Sequence, residues 1–367
     1  MNLYSISESV QKMKAEGKRV IEFNVGDPDQ RLDRRISAAL TKSIDEGETH
    51  YSSAFGIPEL RKGIAETYRT TPDHVFVSPG SKTAIFLAMK VLLRPGDNVV
   101  IPTPSWSAYE LIARDFGADS RLLPTLHPDW RIDADGLGKS VDEKTKLVIL
   151  CNPGNPTSRI IETDVLEPVA KVCADRNIII LSDECYADIA FKKVPSMRDI
   201  SMERGASVIT VGSFSKTFAM TGLRVGWAIA DPKIVNELGK LAQHSYTNVP
   251  VPNQRAAISA LGVKANLSEY MRGIYLRRAN AAMEALEYSG LYVPKPDAPF
   301  YLFPKYSGNV EELAGRLIRR GVAVVPGTSF GPHPNHFRIA LTVSDEALGN
   351  ESPLEEGLRI ISEEAAR

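Results

Sequence analysis

The stretch Leu147-Val148-Ile149-Leu150-Cys151-Asn152-Pro153-Gly154-Asn155-Pro156-Thr157 decides how the rest of the chain is read. It begins with an unbroken apolar run. A strand wetted on one side would alternate, so this one is expected to be covered on both faces. Turn formers and hydrogen-bonding groups follow at once. The same order recurs where residues 178–181 run into Asp183-Glu184-Cys185-Tyr186, and where 208–211 run into Ser213-Phe214-Ser215-Lys216.

Working outward, residues 74–77, 98–101 and 224–230 read as further strands. Helical spacing fills 82–93, 105–116 and 166–177. Strands alternating with helices predict an α/β layer with a mostly parallel sheet and helices on both faces. Beyond residue 250 the texture changes. A long helical stretch at 267–288 leads to short strands near Tyr292 and Tyr301, a helix at 310–320, short strands near Val324 and Ile339, and a last helix at 353–365. This reads as a smaller α+β domain. The expected division is a large domain over 30–250 and a small one made of 1–29 and 251–367, with Val249–Pro252 as hinge. The amphipathic segment 5–16 can pack on either.

The 367 residues are 43% hydrophobic, enough for a large core. Forty-four basic residues offset 45 acidic ones, so no charge footprint for nucleic acid or an anionic membrane exists. The three cysteines, Cys151, Cys173 and Cys185, match no zinc or disulfide spacing and read as reduced thiols in apolar surroundings. Met1 to Val10 lacks the pattern of a signal peptide, and the apolar runs are too short to span a bilayer. A cytoplasmic protein is expected. No metal site is indicated; His333 and His336 flank a Pro-Asn turn and read as surface residues.

In open α/β sheets ligands bind at the carboxyl ends of strands. Five strand exits here carry residues able to converge. Gly80-Ser81-Lys82 opens a helix and can present backbone N–H groups to a phosphate, with Arg224 as its cation. Trp106 offers a stacking face. Asp183 can keep a ring nitrogen protonated, Asn155 and Tyr186 can bond a ring hydroxyl, and Lys216 can form a Schiff base with an aldehyde. The Ser213-x-x-Lys216 spacing also fits penicillin-binding acyl transferases, but their Ser-Asp-Asn and Lys-Thr-Gly elements are absent. The Gly80-Ser81-Lys82-Thr83 run lacks the glycine spacing of a P-loop.

These residues sit inside ordered motifs: Val25-Gly26-Asp27-Pro28-Asp29, Tyr51 with Gly56-Ile57-Pro58-Glu59-Leu60-Arg61, Asn155-Pro156-Thr157, and Ser182-Asp183-Glu184-Cys185-Tyr186. Further along come Ser213-Phe214-Ser215-Lys216, Thr221-Gly222-Leu223-Arg224, Val324-Val325-Pro326-Gly327 and Phe337-Arg338. In that order they resemble the fold-type I pyridoxal-5′-phosphate (PLP) enzymes, specifically class I/II aminotransferases of the aspartate aminotransferase type. The resemblance implies a seven-stranded large-domain sheet, PLP as cofactor, and transfer of an α-amino group from an amino acid, with aspartate or another dicarboxylate as leading donor, to a 2-oxo acid. A PLP-dependent lyase or decarboxylase on the same scaffold is the alternative.

Carried over, it makes Lys216 the Schiff-base lysine and proton carrier, with Asp183 on the pyridine nitrogen and Tyr186 and Asn155 on the ring oxygen. Gly80, Ser81, Lys82, Ser213, Ser215 and Arg224 are assigned to the cofactor, with Trp106 against its ring. Arg338, Asn155, Trp106 and the Gly26 backbone are assigned to substrate, and Lys82 to an acidic side chain. Tyr51 is expected to reach the neighbouring subunit's cofactor, which implies a homodimer with shared sites. Ser158 replaces the family's glycine, so that turn must either avoid a positive φ or bear strain.

Overall fold

The computed structural model describes residues 3–347 and 351–367. Its strands, in chain order, are β1 (Ile21–Glu22), β2 (Val75–Ser78), β3 (Asn98–Thr103), β4 (Asp119–Pro124), β5 (Thr145–Cys151), β6 (Ile179–Asp183), β7 (Val208–Ser213), β8 (Gly226–Ile229), β9 (Tyr301–Leu302), β10 (Val322–Ala323), β11 (Val325–Pro326) and β12 (Phe337–Ala340). Seven of these form the central sheet in the order β2-β8-β7-β6-β5-β3-β4. The run from β7 through β6, β5 and β3 to β4 is parallel, and β8 pairs antiparallel with β7 and β2.

The unbroken apolar run of β5 is buried on both faces, as its composition requires. Leu147 and Ile149 join the core under helices Ser81–Leu92 and Pro232–Ser245. Val148 and Leu150 face helix Thr163–Asp175 on the other side. Strand β4 was not anticipated from sequence. It is an edge strand whose residues are mostly exposed or half-buried, so Asp119-Ser120-Arg121 carries no apolar run to read.

Residues 249–252 lead into a helix rather than forming an open linker. Pro250 caps helix Val251–Gly262 and Pro252 lies in its first turn, where a missing N–H costs no intrahelical bond. Ala256, Ala257 and Ala260 of that helix share a core with Ile36, Leu60, Ile64 and Trp227. The division expected after residue 250 therefore cuts through one packed unit. The chain instead crosses to a second core along helix Lys264–Glu287, through Met271, Tyr275, Ala279 and Ala282. That core also takes Ile21 and Phe23 from the N-terminal segment. It holds the antiparallel β11-β12-β9 sheet and the β1-β10 pair. Tyr292 makes only an isolated bridge with Lys305. No helix among the described residues is long and apolar enough to cross a membrane.

Arg278 ties the loop after β1 to this second core. Arg278 is 2% exposed, and its guanidinium donates to both Asp29 carboxylate oxygens at 2.8 Å and to Asp345 at 2.9 and 3.0 Å. Arg278→Ala strands both carboxylates, which are themselves partly wetted. The expected cost is about 2–4 kcal/mol in urea denaturation; a loss below about 1 kcal/mol would mean that water substitutes for the arginine.

Candidate active site

The parallel ladder brings three strand ends abreast. Cys151 is the register partner of Asp183, and Asp183 that of Val211. Just beyond the strands, Asn152 N–H donates to the Asp183 carbonyl and Glu184 N–H to that of Val211, both at 2.9 Å. Above these ends lies a cavity of about 410 Å³. Its walls include Gly26, Ser81, Lys82, Trp106, Asn155, Asp183, Tyr186, Ser213, Ser215, Lys216, Arg224 and Arg338.

Asp183 is 5% exposed at the cavity floor. One carboxylate oxygen accepts from the Tyr109 hydroxyl at 2.7 Å and the other from Cys185 N–H at 3.2 Å. Burial raises its pKa, opposed by the Cys185 and Tyr109 hydrogen bonds and by the Lys216 charge. No described cation pairs with it, so the carboxylate is short of a positive partner.

Lys216 owes its position to a tight start of the following turn. Ser213 Oγ accepts from Ser215 N–H at 3.0 Å and caps the short helix Phe214–Thr217. The Lys216 ammonium donates to the Gly26 carbonyl, joining the sheet end to the N-terminal segment.

A second wall is built for an anion. Gly80 has φ +80° and stands before helix Ser81–Leu92 with no side-chain cap. The positive φ favours glycine, and a Cβ there would lie 2.6 Å from Arg224 Nη2 and push the guanidinium from its place. Gly80 shapes the wall from behind without lining the cavity. Arg224 is steadied by the Thr221 carbonyl at 2.6 Å. Lys82 holds its ammonium 4.9 Å from the centre of the Trp106 ring. Burial, with the Arg224 charge, pulls its pKa down, and no acidic side chain among the described residues pairs with it.

Opposite stands Arg338, 3% exposed on β12. Its Nη1 donates to Asn155 Oδ1 at 2.9 Å and its Nη2 to the Asn24 carbonyl at 2.6 Å. Burial lowers its pKa. Tyr186 turns its hydroxyl toward that of Tyr301, 3.1 Å away.

Sequence reasoning missed Tyr109, Tyr301, Asn24, Cys151 and Cys185, which all line the cavity. Tyr109 had a signal, three residues beyond Trp106 in the turn that opens a helix. Tyr301 had none, because it arrives from another layer. Tyr51 is 88% exposed and outside the cavity. His336 is not a surface residue: it is 7% exposed, stacked on Phe303 and against Trp130, whereas His333 is half-buried. No described group of acidic, His or Cys side chains is arranged for a metal. Ser158 adopts φ +53° and is fully buried.

Such an arrangement can hold an anion at the helix end, a flat cation-bearing ring over Asp183, and a carboxylate on Arg338, with an amine between them. The model of the family "Aminotransferase class I and II" matches residues 18–350. The chain is 32% identical to the probable aspartate/prephenate aminotransferase of Aquifex aeolicus, over 94% of this chain and 92% of that one. It is 32% identical to the aspartate aminotransferase of Thermococcus kodakarensis, over 99% and 92%. The solved aspartate aminotransferase of Thermus thermophilus with maleate superposes with a TM-score of 0.92 at 28% identity, covering 100% of this chain and 96% of that one.

Glu184 lies behind the site, bonded by Ser182 Oγ at 3.0 Å, and burial pushes its pKa from 4.5 up to about 7. The folded chain thus keeps a proton there that the unfolded chain releases. The stability gained is full below pH about 4.5 and is lost as pH rises through about 7. In Glu184→Gln this dependence disappears, so wild type should lose stability relative to the variant between about pH 4.5 and about pH 7 in urea titrations. Parallel profiles would show that Glu184 is already ionised.

Proposed function

The chain belongs to the class I and II aminotransferases, and from that membership we propose that it moves an α-amino group from an amino acid to a 2-oxo acid with PLP bound in the cavity above β5, β6 and β7. The observation that carries this reading is that Lys216, Asp183 and Arg338 line one cavity. The cavity suits the cofactor on independent grounds. Asp183 is a buried carboxylate short of a cation, and a protonated pyridine supplies one. The helix end with Gly80, Ser81, Ser213, Ser215 and Arg224 suits a phosphate.

When bound, PLP takes up the amino group and stabilises negative charge at the substrate α-carbon. The protein does the rest. Asp183 keeps the ring nitrogen protonated. Tyr186 and Asn155 donate to the ring oxygen, and Trp106 covers the ring. Arg338, with Asn155 and the Gly26 backbone, holds the α-carboxylate and so orients the α-carbon. The Lys216 amine anchors the cofactor in the resting enzyme and then moves the proton at the α-carbon. Lys82, a cavity cation with no acidic partner, favours a second carboxylate on the substrate, as in aspartate. Tyr51 is solvent-exposed in the single chain, which supports its serving the cofactor of a second copy in a homodimer.

Three results test this reading. Lys216→Ala should lose transamination by at least about 10²–10⁴-fold, while wild type mixed with aspartate alone should release one equivalent of 2-oxo acid and neither ammonia nor carbon dioxide. Release of either gas or amine would instead point to the lyase or decarboxylase. Lys82→Ala should raise KM for aspartate about tenfold and leave alanine-type donors nearly unchanged; equal effects on both would make Lys82 a cofactor contact only. Mixing Lys216→Ala and Tyr51→Ala subunits should restore activity at limiting PLP above either parent, since one hybrid site then holds both native residues. Hybrids that form without that gain exclude a shared site.

A further inference from the structure

Tyr301 touches three of the groups used above. Its hydroxyl lies 3.1 Å from that of Tyr186. Its ring lies beneath Arg338, whose guanidinium carbon is 4.4 Å from the ring centre. A Cβ on Gly26 would fall 2.2 Å from the Tyr301 oxygen, so the N-terminal segment passes directly against this phenol. The side chain is only 3% exposed.

The backbone of Tyr301 is held by Ser158. Tyr301 N–H donates to Ser158 Oγ at 3.1 Å, and that hydroxyl faces the Pro299 carbonyl at 3.4 Å. The Ser158 carbonyl accepts from Asp297 N–H at 2.9 Å. Ser158 does this at φ +53°, where a residue with a Cβ is strained and glycine is not. A glycine would relieve the backbone and lose the hydroxyl. Ser158 also lies in the loop of Asn155, which accepts from Arg338.

We infer that Tyr301 is a positioning residue for the reaction proposed above, joining the arginine that holds the substrate carboxylate to the tyrosine that bonds the cofactor ring oxygen, with Ser158 setting its place. Linked hydroxyls polarise one another, so a bond from Tyr301 to the Tyr186 oxygen strengthens Tyr186 as a donor. The ring face steers the guanidinium separately. The two roles reside in different parts of one side chain and can be separated.

Tyr301→Phe removes the hydroxyl and keeps the ring. It should lower kcat about 3–10-fold, leave the Kd of succinate on the PLP-loaded enzyme unchanged, and move the pH midpoint of the bound-cofactor absorbance upward. Tyr301→Leu also removes the ring and should weaken succinate about tenfold or more. Ser158→Gly should share the kcat loss and absorbance shift of Tyr301→Phe although its backbone is relaxed, with the melting temperature recorded for every variant. A Tyr301→Phe enzyme with wild-type kcat and absorbance midpoint overturns the inference, as does one whose only defect is succinate affinity. A Ser158→Gly enzyme indistinguishable from wild type removes Ser158 from it. The inference rests on the proposed function: wild type that fails to bind PLP ends both, whereas active wild type with an unaltered Tyr301→Phe ends this one alone.

Discussion

The 2.9 Å bond from Asn152 N–H to the carbonyl of Asp183 extends the parallel ladder past the last residue of β5. Much of the site depends on it. Because β5, β6 and β7 are hydrogen-bonded neighbours in fixed register, the residues leaving their ends emerge side by side. The buried strands cannot slip: a shift of one residue would exchange Leu147 and Ile149 with Val148 and Leu150 between two differently packed faces. Positional precision at the cavity is thus inherited from core packing several residues upstream, where no chemistry takes place.

Charge at the site follows the same economy of position. Asp183 and Glu184 are adjacent buried acids, yet their surroundings differ. Asp183 faces the cavity with a phenol and an amide on its two oxygens. Glu184 faces inward, with Ser182 as its side-chain partner. Burial raises both pKa values, but only one of the two can gain a cation from a ligand. Neighbouring, chemically similar residues at one strand end thus meet different surroundings.

What could be read from sequence was what local order carries. Continuous apolar runs announced buried strands, and polar residues just after them announced the cavity wall, so position alone singles out Asn155, Asp183, Ser213 and Lys216, which all line it. Arg338 required the family resemblance, since a lone arginine after phenylalanine looks like any surface charge. Asp119–Pro124 escaped because an edge strand needs little apolar surface. Tyr301 escaped because β9 is two residues long and meets Tyr186 across 115 positions of chain. His336 misled for a related reason: Pro334 and Asn335 are exposed as their composition suggests, but the His336 ring turns inward against Trp130 and Phe303, which come from elements remote in sequence.

The outer edge of the central sheet has a different consequence. Strand β4 leaves one row of backbone groups without a sheet neighbour, the kind of template on which chains stick together. This edge is poorly suited to such growth. Asp119 and Arg121 place charge along it, and Pro124 ends it with a residue that has no N–H to offer. Arg121 is further drawn back by the Ser140 carbonyl and the Asp142 carboxylate. The strand least legible in the sequence is thereby also a poor template for fibril-like growth, its charged half and its terminal proline flanking the exposed Leu122.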